Sequence, residues 1–265
     1  MLKNSSSFTI SINGYDYKRM AEIMKKTLIT AVILTCFATC FCYAQKNAFE
    51  ATIGGYSGYI WRGIRWSEDH LTIQPSLSYS YNQAKLEVWS IYDTNTSEWL
   101  ELDVILSYQH KFKNWSFETG YMHYNVNNGD NSDELFCEVR HLSALSPFAA
   151  VYYDFNKGNG AYVKAGIEPE LEITHNSTMI MHASLSAVMN NEYMITNADG
   201  SDFAGLFTGE LFLSAEIFLS DNVFFTPVVG HTYALSQSAR FAVASVDARG
   251  RDRFLYAGIS IGVLF

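Results

Sequence analysis

The chain has 265 residues, a net charge of −9 at pH 7 and 15% aromatic residues, including 17 tyrosines and 18 phenylalanines. The acidic balance argues against nucleic acid as a partner, because a phosphate backbone is bound by clustered lysine and arginine. The aromatic content is typical of a strand-rich chain. Beyond residue 44, no apolar run reaches the eighteen residues that a membrane-spanning helix needs.

The amino-terminal region has the features of a secretory signal peptide. Lys25 and Lys26 precede an apolar run over residues 28–41, and Ala44 stands before Gln45. A basic start, an apolar run too short for a bilayer and a small terminal residue together indicate a cleavable signal. We therefore expect a signal peptide over residues 1–44, cleavage between Ala44 and Gln45, and one mature domain over residues 45–265.

Two alternatives concern the same region. Met24 directly precedes the lysines and is a second candidate for the start of translation. A lipoprotein signal would end at Cys36, Cys40 or Cys42, but each of these follows Thr or Phe in place of a small residue. With the signal removed, only Cys137 remains, so no intramolecular disulfide and no thiolate metal cluster can form.

The carboxy-terminal segment from Arg253 to Phe265 alternates strictly between apolar and small or polar residues. Period-two alternation predicts a strand with two unlike faces. A bacterial outer-membrane barrel commonly ends in such a strand, and we interpret Tyr256 and Phe265 as its sorting signal for the barrel-assembly machinery. The alternative is the last strand of a soluble β-sandwich.

Eleven further segments upstream are predicted to be strands in the same way. Twelve is an even number, as closure of a single-chain bacterial barrel requires. The predicted fold is therefore all-β, an antiparallel up-and-down transmembrane barrel of about twelve strands. The predicted segments are Phe49–Arg62, His70–Tyr81, Ala84–Tyr92, Trp99–Phe112, Trp115–Val126, Glu134–His141, Phe148–Phe155, Ala161–Ile173, Thr178–Met189, Phe203–Leu219, Val223–Leu235 and Arg253–Phe265.

The connections between these segments alternate in length. Every second one is short, as at Lys113–Asn114 and Ser220–Asn222, whereas the others are longer and polar, as at Asn190–Asp202 and Ser236–Asp252. Short periplasmic turns that alternate with longer external loops are expected of an outer-membrane barrel. A soluble sandwich offers no reason for this asymmetry.

If the apolar side of each strand faces lipid, the alternate side lines the lumen. A Lys or Arg at the lipid-facing midplane costs about 2–4 kcal/mol, so charged residues are expected on the inner side. An acidic majority there favours cations and small neutral solutes. The alternative is that these charges pair with one another and plug the barrel. The candidates are Arg62 near the mouth, with Lys85, Glu87, Glu101, Asp103, Glu118, Glu138, Arg140, Asp154, Lys164, Glu168, Glu210 and Glu216.

Catalytic and metal sites have little support in the sequence. The seven histidines lack metal-ligand spacing, and no G-x-S-x-G motif specifies a nucleophile. We therefore expect no enzymatic activity, no cofactor and no metal. Four arginines in the last long loop either meet the anionic lipid surface or fold inward onto lumenal carboxylates; they are Arg240, Arg249, Arg251 and Arg253.

The segment from Tyr56 to Tyr81 resembles the opening of the TorF family of porins. Residues 59–64 match its Y-x-x-R-G-I core, and the following strand is matched at Gln74, Ser76, Leu77 and Tyr79. Gly58 stands where the family usually has Asp, so a role for that carboxylate does not carry over. Weaker likeness, at residues 101–103 and 120–124, extends the similarity over Glu50 to Glu172. The resemblance implies a porin-type outer-membrane barrel and supplies no catalytic residues.

These patterns lead to a functional prediction. The protein is expected to be a porin-like barrel of the outer membrane that allows passive diffusion of small polar solutes, with a preference for cations. Its expected contacts are outer-membrane lipid and lipopolysaccharide. The alternatives are a closed barrel with a structural or surface-interaction role and a membrane-embedded hydrolase.

Overall fold

The structure, a computed structural model, describes residues 47–192 and 194–265. The expected signal peptide, its cleavage between Ala44 and Gln45 and the alternative start at Met24 lie outside the described residues. The strands are β1 (Asn47–Tyr56), β2 (Ile60–Trp61), β3 (Ile64–Arg65), β4 (Thr72–Tyr81), β5 (Ala84–Asp93), β6 (Glu98–Phe112), β7 (Trp115–Val126), β8 (Ser132–His141), β9 (Pro147–Asp154), β10 (Gly160–Ile167), β11 (Glu170–Thr174), β12 (Ser177–Met189), β13 (Ala204–Phe218), β14 (Val223–Ala234) and β15 (Arg253–Leu264), with one helix, α1 (Gln237–Val246).

Twelve antiparallel strands form a closed ring. Neighbours in the ring follow one another along the chain from β4 to β10 and from β12 to β15, and β1 pairs with both β4 and β15. The pairing of β10 with β12 closes the ring, and β11 continues β10 along the same partner after a break at Glu168 and Pro169. The predicted twelve-stranded up-and-down barrel is confirmed.

The wall of the barrel has its apolar face outside. Outward side chains such as Leu106, Leu211 and Ile259 are exposed, whereas inward ones such as Ser107 and Ser186 are buried. A sandwich would bury the apolar faces against each other, so that alternative is wrong. An apolar outer band over a polar interior is the arrangement of a membrane barrel.

The last strand closes the sheet as predicted. Strand β15 pairs with β14 on one side and β1 on the other, and the backbone of Phe265 exchanges hydrogen bonds with that of Phe49. The three longest connections, residues 57–71, 190–203 and 235–252, lie at one end of the barrel, but the expected alternation is not strict, because residues 94–97 are fewer than residues 142–146 at the other end. The sorting role of Tyr256 and Phe265 stays a prediction.

One predicted segment runs too far. The first was expected to continue from Phe49 to Arg62, but β1 ends at Tyr56 and the chain then leaves the wall. Residues 57–71, here called the plug hairpin, fold back through β2 and β3, which are joined by the two-residue turn Arg62–Gly63. Both turn residues have positive φ, 52° and 84°, as a type I′ turn requires.

The last long connection contains a helix that was not predicted. Ser236 caps α1 by accepting a hydrogen bond from the Ala239 N–H at 3.0 Å. The helix buries Ala239, Ala242 and Val243. No helix in the described part of the chain is both long and apolar enough to cross a membrane.

A buried apolar cluster fills the long-loop end of the barrel. It joins the plug hairpin, the connection from β12 to β13, helix α1 and the inner faces of several strands, so these connections form a small packed core above the lumen. Its members are Ile64, Tyr162, Val188, Met194, Ile195, Phe203, Phe207, Ala234, Ala239, Ala242, Val243 and Phe254.

Candidate functional site

The turn of the plug hairpin carries Arg62 into the barrel. Its two terminal amino groups donate to both oxygens of Glu134, at 2.8 Å to Oε1 and 2.6 Å to Oε2. The Arg62 side chain is 8% exposed and that of Glu134 is fully buried. This paired fork geometry is the strongest form of an Arg–carboxylate contact.

Aromatic rings surround the same guanidinium. Its central carbon lies 4.5 Å from the ring centroid of Trp61 and 4.6 Å from those of Tyr152 and Tyr162. Tyr124 donates its hydroxyl proton to Glu134 at 2.8 Å. Desolvated cation–π contacts of this kind contribute about 2 kcal/mol or more. The arginine is therefore held by charge, by hydrogen bonds and by ring faces together.

The plug hairpin reaches across the lumen. The side chain of Arg62 contacts β8, β9 and β10, and its carbonyl oxygen accepts a hydrogen bond from Thr208 on β13 at 3.3 Å. A Cβ atom on Gly63 would lie 2.5 Å from Cγ2 of Thr208. The turn thus fits against the wall far from β1, where the hairpin begins.

Two further carboxylates lie beside the hairpin, on β6. Glu101 Oε2 accepts a hydrogen bond from the Tyr59 hydroxyl at 2.9 Å. Asp103 is buried, and among the described residues its Oδ1 has no hydrogen-bond partner. With Glu134, they place three acidic side chains on the inner wall beside the plug hairpin.

A second polar network lies on the inner wall around β8, β10 and β12. Arg140 binds Glu138 and Glu168, each at 2.8 Å. Glu168 also contacts His182 Nδ1 at 2.6 Å, and His182 Nε2 lies 2.9 Å from Ser184 Oγ. The structure therefore brings together three of the predicted lumenal charges and adds a histidine and a serine.

The other predicted lumenal residues alternate with exposed apolar ones along their strands. Lys85 and Glu87 form a pair at 2.7 Å, and Glu210 accepts from Tyr256 at 3.0 Å. Lys164 lies 5.5 Å from the ring centroid of Phe148. In the strand register, Glu118 is opposite Glu138, Glu216 is opposite Thr178 and Asp154 is opposite Glu134. Their pore-lining role stays a prediction.

Arg62 was expected near an open mouth, but it is enclosed. Its partners Glu134, Tyr124, Tyr152 and Tyr162 were not among the predicted site residues. Glu134 shares its strand parity with Glu138 and Arg140 and could have been included on that basis. The tyrosines have no such signal, because in the sequence they are indistinguishable from other strand-forming aromatics.

The four arginines of the last long connection pair with carboxylates of the external connections. Arg249 and Arg251 bind Asp69 of the plug hairpin at 2.5 and 2.9 Å, and Arg65 also contacts Asp69. This Asp69 clasp ties the plug hairpin to the segment after α1. Arg240 and Arg253 both lie against Asp252, at 3.6 and 3.1 Å. The alternative in which these arginines fold inward onto lumenal carboxylates does not describe these contacts.

The carboxylate that follows α1 is also held by this segment. Burial alone would raise the pKa of Asp247, but hydrogen bonds from the side chain and backbone of Arg251 and from the backbone of Arg249 lower it below its usual value. Asp247 is therefore charged at neutral pH and fixes Arg251 for the clasp.

Metal binding has no support in this structure. Within residues 47–265, leaving out residue 193, no group of three or more His, Cys, Asp and Glu side chains could hold a metal ion.

Comparison with known proteins gives structural neighbours only. No protein-family model matches the chain, and no curated protein is detectably similar to it. The KdgM porin superposes with a TM-score of 0.52 at 11% identity, over 81% of this chain and 98% of the porin. An outer membrane channel from Pseudomonas putida F1 gives 0.50 at 10% identity, over 84% and 97%. At these identities the likeness establishes the fold, a porin-like barrel.

Proposed function

We propose that this protein is an outer-membrane channel of porin type that passes small polar solutes and prefers cations. The observation that carries the proposal is the barrel itself, with an apolar outer belt and an inner wall on which acids outnumber bases at the hairpin level. The similarity of residues 59–64 to the TorF opening motif supports the same assignment. The arginine of that motif is the residue that the structure encloses.

Placement in the outer membrane follows from the outer face of the barrel. Exposed leucines and isoleucines around the wall would be costly in water and are stabilised by lipid. The protein would then contact outer-membrane lipid and lipopolysaccharide. Its insertion would use the barrel-assembly machinery, with Tyr256 and Phe265 as the sorting signal.

Passage through this barrel requires the plug hairpin to move. As described, the hairpin crosses the lumen, and the apolar cluster fills the end above it. When Arg62 leaves, Glu134 loses its guanidinium, and Glu101 and Asp103 lie on the same inner wall. The open passage is then more electronegative than the closed one, and cations are favoured.

Ion selectivity in planar lipid bilayers tests the proposal. The openings of the purified protein should be cation-selective, and the double variant Glu101→Gln with Asp103→Asn should bring the cation-to-anion permeability ratio closer to one. Glu192→Gln, an exposed acid on an external connection, is the matched control and should leave the ratio unchanged. Absence of any openings, or an unchanged ratio in the double variant, would refute cation-selective transport.

A closed barrel with a structural or surface-interaction role is the second candidate. The buried apolar cluster at the long-loop end favours it, because a permanent core would seal the lumen. Liposome swelling in small sugars separates the two functions, since only a channel admits the sugar.

A hydrolase is a third candidate because three side chains contact one another in series. Ser184, His182 and Glu168 have the order and distances of a nucleophile, base and orienting acid. Against this, Glu168 is shared with Arg140 and the Ser184 residue is only 7% exposed. Labelling by a serine-reactive fluorophosphonate that is lost in Ser184→Ala would support hydrolysis. Absence of labelling would exclude the hydrolase candidate.

A further inference from the structure

An apolar groove of about 550 Å³ runs along the outer wall over strands β12 to β15. Most of its lining side chains point outward, including Met181, Leu211, Leu213, Val229 and Leu255. Ala183, a small residue on the same outer face, leaves a hollow between these larger residues. The groove is therefore a recess in the lipid-facing belt with a mainly apolar lining.

A smaller cleft of about 290 Å³ continues the groove toward the long-loop end, and His231 lines both. The cleft is lined by Tyr233, Arg240, Asp252 and Arg253. The two arginine side chains are 60% and 63% exposed, and each directs its Nε to the same carboxylate of Asp252. Two guanidiniums share one carboxylate, so the cleft carries a net positive charge.

This basic cleft is unusual on this molecule. The chain is acidic overall, and the neighbouring Arg249 and Arg251 are engaged in the Asp69 clasp. Arg240 and Arg253, in contrast, share the single carboxylate of Asp252, and more than half of each side chain is exposed. A basic rim directly above an apolar groove is complementary to a molecule with an anionic head and an apolar tail.

We propose that the groove and its rim bind one phosphorylated, acylated lipid of the outer leaflet, of the chemical class of lipid A. A phosphate lies between Arg240 and Arg253, and an acyl chain lies in the groove from Leu255 toward Met181. Phosphate alone would leave the groove unfilled, and an uncharged lipid would leave the two guanidiniums with only Asp252. The inference rests on the outer-membrane placement proposed above and locates the lipid contact.

Binding of defined lipids to the purified protein in detergent tests this site. The probes are purified lipid A, its deacylated phosphorylated sugar backbone, inorganic phosphate and phosphatidylethanolamine, and bound lipid is counted by native mass spectrometry. We expect one tightly bound lipid A on the wild type. Affinity should be about thirty-fold weaker in the double variant Arg240→Gln with Arg253→Gln, from two charges near the headgroup. The control Arg249→Gln, whose side chain pairs with Asp69 and does not line the cleft, should bind like the wild type.

Several results would overturn the site. These are unchanged affinity in the double variant, equal binding of the deacylated backbone or of phosphatidylethanolamine, and binding of inorganic phosphate alone. A groove variant, Leu211→Gln, should weaken lipid A binding although both arginines are intact, which keeps the test independent of the arginines. Flotation with liposomes reports membrane insertion separately. Lost lipid binding with normal conductance would contradict this inference alone, and the reverse result would contradict the channel alone.

Discussion

Arg62 is the residue that anchors the plug hairpin inside the barrel. Its backbone lies in the left-handed region, with φ of 52°, which costs a residue with a side chain about 1–2 kcal/mol. The pairing with Glu134 and the surrounding rings offset this cost. The pair is fully enclosed, so loss of either partner leaves a buried charge. Removal of one member of such a pair lowers the free energy of unfolding by more than the net contribution of the intact pair.

Arg62→Met should therefore lower the free energy of unfolding by about 3–5 kcal/mol, measured by urea unfolding of the protein in lipid vesicles. Adding Glu134→Gln should recover part of the loss, because no charge is then left unpaired. The control is Lys85→Met, whose side chain is 42% exposed and whose loss should cost less than about 1 kcal/mol. Equal effects of the Arg62 and Lys85 variants would contradict the buried-pair interpretation.

Substitution of Gly63 tests how closely the turn of the plug hairpin packs against β13. Gly63 and Gly200 both have left-handed φ, 84° and 80°, but only Gly63 faces Thr208, since nothing lies within 4 Å of a Cβ on Gly200. Gly63→Ala should therefore destabilise the protein by about 1–3 kcal/mol more than Gly200→Ala, from overpacking. The same unfolding measurement compares them, and equal losses would show that the turn does not press on β13.

Among the elements, the strands were predictable from the sequence and the structures between them were not. Alternation along residues such as Leu71 to Tyr81 depends only on which face meets lipid, and that pattern is local. The plug hairpin depends on contacts such as Arg62 with Glu134, 72 residues apart, which no local pattern reports. Its Arg–Gly turn also lacks the Asn-Gly or Asp-Gly signature that indicates a type I′ turn.

Helix α1 was missed for a related reason. Ser236 is a good N-cap residue, but ten residues within an external loop were too few to indicate a helix against the barrel pattern. Its stability comes from packing Ala239, Ala242 and Val243 into the apolar cluster. Parity placed Glu138, Arg140 and Glu168 on one face, and the structure brings these three side chains into contact, while their pore-lining role stays a prediction.

The end of α1 should be sensitive to acid. Because the folded pKa of Asp247 is depressed, its stabilising contribution is complete above the unfolded value of about 3.9 and is lost as the pH falls through the folded value. Asp247→Asn should lower the free energy of unfolding at pH 7 by about 1 kcal/mol. The gap from the wild type should close as the pH falls through the folded pKa of Asp247. Asp221→Asn, in an exposed short turn, is the control and should have the same free energy of unfolding as the wild type. A difference between Asp247→Asn and the wild type that becomes larger in acid would contradict the lowered pKa of Asp247.

At the scale of the whole molecule, a twelve-stranded barrel lies between those whose interiors side chains fill and the wide porins that hold water. In this protein, side chains of the external connections fill the long-loop end of the barrel. The inner wall carries more acids than bases at the level of the hairpin, and the Asp69 clasp fixes the hairpin from outside. These features are the basis of our proposal that the molecule is a cation-favouring channel whose plug hairpin can be displaced from its long-loop end.

Single-channel recording of a variant without the plug hairpin tests this organisation most directly. Tyr56 and Thr72 are paired across β1 and β4, so residues 57–71 can be replaced by an Asn-Gly turn. A control replaces residues 94–97 by Asn-Gly between the paired Asp93 and Glu98, with folding of each variant confirmed by its heat-modifiable migration. The hairpin-less barrel should show steady, cation-selective conductance, while the wild type and the control stay closed for most of the recording. A folded hairpin-less barrel that remains silent, or a wild type that already conducts as well, would contradict the account.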